Sequence, residues 1–149
     1  MERTDMPINL QDFSLELDIS ENGLSIIIDH YNGDAGQITI PGNCNGLPIK
    51  KIDNFAFHGN KKIRKIIIEK GVTSLGFNTF SDCTELIEID LPDSLLEIDS
   101  SAFSGCRKLA SIRFPESLLK IGHYAFENCK ELTDIFIPKE VLICHVMTD

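Results

Sequence analysis

No stretch of the sequence is apolar for anything near the ~20 residues that a membrane-spanning helix needs. The start, "MERTDMPINLQDF", has neither a basic n-region nor an apolar core, so it does not read as a secretory leader. A cytoplasmic location is therefore expected, with a secreted or cell-surface place as the alternative if a leader has been removed. Basic charge is scarce. Against 23 Asp and Glu stand 14 Lys and Arg, for a net charge of −9. Such a balance argues against general binding to nucleic acid or to an anionic membrane. The deficit is uneven: residues 1–40 hold eight acids against Arg3 alone, which is −7 and leaves −2 for the rest. A local exception gathers Lys50, Lys51, Lys61, Lys62, Arg64, Lys65 and Lys70. It reads either as a solvated face partly neutralised by the acidic N-terminal segment or as an anion-binding patch.

Catalytic signatures are missing too. There is no HExxH, GxSxG, P-loop or CxxC, and His30, His58, His123 and His145 lack the spacing of metal ligands. Acids abound, but none pair into an assignable acid and base. The expectation is no enzyme, no metal and no cofactor. What remains is an ordinary globular composition, 42% hydrophobic and 25% charged, in a 149-residue chain that fits one domain.

What is present is a repeat. Phe57, Phe80, Phe103 and Phe126 stand 23 residues apart, as do Ile52, Leu75, Ile98 and Ile121. Ile63, Leu86, Leu109 and Leu132 keep the same step, and so do Ile66, Ile89, Ile112 and Ile135. Ile68, Leu91, Phe114 and Ile137 follow, with Pro92, Pro115 and Pro138 closing three of the copies. Self-similarity of this kind marks a stacked repeat whose units cannot bury their apolar faces alone.

Within a copy, "LIEIDLP" (86–92) alternates buried-type Ile89 and Leu91 with Glu88 and Asp90, the period of a strand with one wet face. Proline then ends the ladder. A second short extended piece, "LLEI" (95–98), turns the chain, and "SSAF" or "HYAF" starts a short helical turn with Asp99 or Ser100 as its cap. Each copy is thus one coil of a solenoid, right-handed by the crossover rule. "FSLELDI" (13–19) and "GLSIIID" (23–29) predict a β-hairpin that caps the N-terminal end over residues 1–35. Coils fill residues 36–149 within the same domain; register puts Cys144 where Ile98 and Ile121 sit, so the last coil is unfinished.

Residues 36–144 resemble the BspA-like leucine-rich repeats, a bacterial class related to repeats of treponemal proteins. The resemblance rests on "LPDSLLEIDSSAFSGCRKLASIRF", "FPESLLKIGHYAFENCKELTDIFI" and "EKGVTSLGFNTFSDCTELIEIDL". "ITIPGNCNGLPIKKIDNFAFHGN" is similar to the usual first repeat, with five extra residues between Pro41 and Ile52. The resemblance implies a leucine-rich-repeat solenoid of parallel β-strands, and roles such as adhesion or host interaction in secreted relatives.

Two sets of positions stand out within the repeat. Asn60, Cys83, Cys106 and Cys129 share one rung. Asn and Cys have modest size and a donor in common, but not thiolate chemistry, which predicts a buried structural ladder rather than a disulfide or zinc site. On the wet face of the strands, Ile67, Asp90, Arg113 and Phe136 form one column and Lys65, Glu88, Ser111 and Asp134 another. Their residue types vary too freely for a structural duty, which makes them the candidate binding surface. The expected function is a non-catalytic scaffold that presents this face to another protein. The alternative is a structural module self-associating as a homo-oligomer through its open C-terminal coil, "VLICHVM" (141–147). Nucleic-acid binding and membrane insertion are not expected.

Overall fold

The alternation of isoleucine with polar residues forms strands, but short ones. The computed structural model describes residues 10–133 and 135–143. After a 3-10 turn at Leu10–Asp12 come β1 (Phe13–Ser20), β2 (Gly23–Tyr31), β3 (Gln37–Ile40), β4 (Asn43–Cys44) and β5 (Leu47–Ile52). The coils then contribute β6 (Lys65–Ile68), β7 (Ser74–Leu75), β8 (Glu88–Asp90), β9 (Glu97–Ile98), β10 (Ser111–Ile112), β11 (Lys120–Ile121) and β12 (Leu142–Ile143). They assemble into two sheets. The first runs β1-β2-β5-β7-β9-β11-β12, with β4 attached to β5; the second runs β3-β6-β8-β10.

Register follows the sequence period. Ile52 pairs with Leu75, Leu75 with Ile98 and Ile98 with Ile121, all parallel. On the second sheet Ile66 pairs with Ile89 and Ile89 with Ile112. The first step differs, because Ile38 pairs with Ile66 across 28 residues. The five extra residues are a small antiparallel hairpin, β4 on β5, turning through Asn45 and Gly46 with φ of 51° and 84°. Both central residues at positive φ are what a two-residue hairpin loop requires, and Asn-Gly supplies them cheaply. At the last coil the ladder sets Ile143, not Cys144, beside Ile121. Yet Leu142 N donates to Leu119 O just as Leu119 N donates to Leu96 O, so the 23-residue step persists in that bond. Cys144 itself lies outside the described residues.

The side of the coil between the sheets is a hydrogen-bonded ladder of turns. Phe57, Phe80 and Phe103 each donate their amide to a carbonyl one coil on, at 2.8 Å. Gly59, Asp82 and Gly105 do the same at 2.7–2.8 Å. Within each turn the bonds are of i→i+3 type, such as Ala102 N to Asp99 O and Cys106 N to Phe103 O. The expected helical turn therefore closes once and does not propagate. Positive φ interrupts it twice per coil, at Phe55, Asn78, Ser101 and Tyr124 and again at Gly59, Asp82, Gly105 and Asn128. Those residues re-aim amides and carbonyls from their own coil toward the neighbouring one. Asp99 Oδ1 accepts from the next amide, Ser100 N, at 2.6 Å, a local bond and not the N2 or N3 contact of a helix cap.

Between the sheets and the turns runs one apolar core. Phe57, Phe80, Phe103 and Phe126 stack in it with centroids 5.0–5.3 Å apart and planes within 26°. Burying each ring contributes roughly 1.5–3 kcal/mol, and offset stacking adds to that. At the N-terminal end Tyr31 stacks on Phe57 at 5.1 Å and Phe13 tilts onto Tyr31 at 5.0 Å. The hairpin thus caps the core with its own aromatics, one step before the phenylalanine period begins. β2 also pairs in parallel with β5, so the cap continues the first sheet.

Candidate functional site

The strand pairs on the second sheet fix which side chains share a face. Lys65 lies beside Glu88, and Glu88 beside Ser111, while Ile67 lies beside Asp90. Lys65 Nζ is 3.4 Å from Glu88 Oε2, a half-exposed pair of modest worth. Asp90, Arg113 and Phe136 are exposed, whereas Ile67 is half-buried. Phe136 is the extreme case, 82% exposed. The columns begin one rung earlier than the sequence period reaches: Gln37 pairs with Lys65 and Thr39 with Ile67. The five-residue insertion hid them. Asp134 lies outside the described residues.

At the C-terminal end of this sheet an open groove of ≈ 870 Å³ brings part of the column together. Asp90, Asp93, Arg113, Glu116 and Phe136 line it, beside the buried Phe114. Lys65, Glu88, Ser111 and Ile67 are not among its walls. The groove offers one guanidinium amid three carboxylates and one bare aromatic ring. That set can grip a polypeptide by hydrogen bonds and apolar contact.

The cysteine rung has a different character. Cys83, Cys106 and Cys129 are free thiols at 0% exposure, each Sγ donating to a carbonyl of the previous coil (Phe57, Phe80 and Phe103) at 3.1 Å. Burial pushes the Cys83 and Cys129 thiols up to about 12 and raises Cys106 well above its ordinary value. A thiol held protonated is neither nucleophile nor ready ligand. Asn60 fills the same rung differently, its Oδ1 accepting from Lys62 N at 2.9 Å and Ile63 N at 3.0 Å of its own coil. The shared property is the ability to satisfy loop backbone, through an acceptor in one case and a donor in three.

Two further groupings escaped the sequence because they join residues of neighbouring coils that share no motif. His58 Nδ1 lies 2.6 Å from Ser81 Oγ, while the Ser81 hydroxyl donates to Asn78 O at 3.0 Å. The Ser81 oxygen thus lies between a ring nitrogen of the previous coil and a carbonyl of its own turn, tying two coils together. Glu16, Asp29 and Asp53 bring carboxylate oxygens within 4.8 Å of one another, with Lys51 Nζ 3.5 Å from Asp53. This is where the acidic N-terminal segment meets the lysine-rich first coil. Among the described residues no helix is long and apolar enough to cross a membrane.

Residues 32–145 match the family described as "BspA type Leucine rich repeat region (6 copies)". The chain belongs to the BspA-type leucine-rich-repeat family. Solved structures agree with that assignment. A leucine-rich-repeat protein of T. pallidum is 31% identical at a TM-score of 0.87, over 94% of this chain and 64% of that one. One from Bacteroides ovatus is 27% identical at 0.76, over 95% of this chain and 37% of its own length. A leucine-rich cell surface protein of Faecalibacterium prausnitzii is 26% identical at 0.74, over 88% of this chain and 35% of its own. The BspA-type chain thus spans under two thirds of each of these proteins. No curated protein matches it.

Proposed function

We propose that this BspA-type repeat is a non-catalytic scaffold whose second sheet binds another protein through the groove at Asp90, Arg113 and Phe136. One observation carries the reading: an aromatic ring 82% exposed stands beside an exposed arginine in a concave site. Interfaces concentrate their energy in such anchors, and aromatic and arginine side chains dominate them. Lys65 and Glu88 then form a charged surround that orients the partner, with Ile67 two rungs from Arg113 in the column. A role in adhesion or host contact is favoured by the likeness to a cell surface protein.

The test pairs the wild type with the double variant Arg113→Glu, Phe136→Ser in pull-downs from the source cell and its surroundings. A partner held by the wild type and lost by the variant, with the thermal transition nearly unchanged, is the expected result. A partner that binds the variant at full affinity overturns the reading. Self-association is the second reading, favoured by Leu142 and Ile143 in the terminal strand β12, which are 63% and 41% exposed. Light scattering separates it, because an end-to-end oligomer persists in the groove variant and dissociates on Leu142→Lys.

A further inference from the structure

The other end of the first sheet carries a second surface. β1 is its terminal strand, paired antiparallel with β2 on one side only among the described residues. It is eight residues long, against two to four for most strands of the coils. Leu17 is 61% and Ile19 78% exposed, with Leu15 at 37% and Leu24, opposite Ile19, at 47%. These side chains extend the apolar face of Ile26 and Ile28, which pair with Leu17 and Leu15 and are buried. Between them on the opposite face stand Glu16 and Asp18, with Asp29 and Asp53 close to Glu16. A long edge strand with an apolar row is a template for another strand.

We infer that β1 accepts an added strand from a partner protein, an extended segment alternating apolar with Lys or Arg residues. The backbone supplies the ladder, and alternate side chains supply the selection. Apolar residues of the incoming strand cover Leu15, Leu17 and Ile19. Its cations, on the other face, meet Glu16 and Asp18. A second copy of the chain is the wrong occupant on grounds of charge. Antiparallel pairing of β1 with itself about Leu17 sets Glu16 opposite Asp18 twice over, and like charges directly opposite destabilise a sheet. The segment as a whole carries −7 over residues 1–40, which steers a basic partner to this end and not to the near-neutral remainder. The surface is separate from the groove of the second sheet.

The test uses the full chain and three synthetic eleven-residue probes. One alternates Val with Lys, one alternates Val with Glu, and one is the Val/Lys probe N-methylated at every residue, so that neither edge can donate. Fluorescence anisotropy should give the Val/Lys probe at least tenfold tighter binding than the Val/Glu probe, weakening as salt is raised. N-methylation should abolish the binding, because it removes the ladder and leaves the charges. Glu16→Lys with Asp18→Lys, both exposed and so tolerated by the fold, should reverse the preference. Amide shifts in NMR should concentrate on residues 14–20. Equal binding of all three probes, shifts confined to the second sheet, or no binding by the full chain would each overturn the inference. So would a dimer that dissociates on Leu17→Lys, which makes a second copy the occupant.

Discussion

Two phenylalanines of one repeat sequence have opposite duties. Phe103 stacks between Phe80 and Phe126 at 0% exposure, so Phe103→Ala opens a cavity in the middle of the ladder. A loss of about 3–5 kcal/mol is expected. Phe136, at 82% exposed, supports no core, and Phe136→Ala should stay within roughly ±0.5 kcal/mol of neutral. Denaturant midpoints of the two variants check this, and comparable midpoints would refute the assigned register. The thiols give a pH prediction. Below the ordinary thiol pKa, folded and unfolded chains are both protonated and nothing is lost. Above it, the unfolded chain releases protons that the folded chain retains up to about 12 at Cys83 and Cys129. Stability must then fall as pH rises through that window, by up to ~1.4 kcal/mol per pH unit for each thiol. The drop in midpoint between pH 8 and pH 10.5 should be larger in the wild type than in a variant with Ala at positions 83, 106 and 129. Equal drops would place the thiols in solvent.

At the scale of the element, the turn carries conformational cost in some coils and not in others. The second positive-φ column, Gly59, Asp82, Gly105 and Asn128, uses residues that visit this region readily. In the first, Asn78 and Ser101 stand between the bulky Phe55 at φ 60° and Tyr124 at φ 56°. Tyr124 is 45% exposed, so little burial offsets its strain. Tyr124→Asn should raise stability by up to ~1 kcal/mol, read as a higher denaturant midpoint. A lower midpoint would show that the ring is supported by contacts that outweigh the backbone. This contrast also marks what a sequence discloses about elements. The strands and the hairpin were legible because β-structure writes its period into adjacent residues, Ile89 beside Asp90 and Leu17 beside Asp18. Positive φ at Tyr124 was not, since tyrosine carries no mark of it; only the Gly and Asn of the other column hint at such turns. The columns of the wet face could be aligned through the period alone, but Gln37 and Thr39 were hidden by the inserted hairpin. The groove was invisible, because its shape depends on how residues 135–138, which form no strand, sit beside β10.

The whole molecule is a stack in which every coil-to-coil strand pair joins consecutive coils. Stability is then close to a sum of coil terms and nearest-neighbour interfaces, with the hairpin closing one end of the core. That arrangement predicts which deletions the chain tolerates. Removing residues 87–109 joins Leu86 to Ala110, and Leu86 holds the same position as the deleted Leu109. The phenylalanine ladder loses Phe103 but closes again, because Phe80 meets Phe126 in the register that Phe103 had. The shortened protein should fold cooperatively, with a denaturant m-value lower by about 15%, in proportion to the 23 of 149 residues removed. Removing only residues 87–97 joins Leu86 to Ile98 and deletes β8 while keeping Phe103. Strand, proline and turn then fall out of step, Ile89 has no successor beside Ile66, and both sheets are broken at once. This smaller deletion should leave the chain unfolded by circular dichroism. The decisive comparison is between the two: if the eleven-residue deletion folds as well as the longer one, the 23-residue coil is not the unit of stability, and the nearest-neighbour account fails with it.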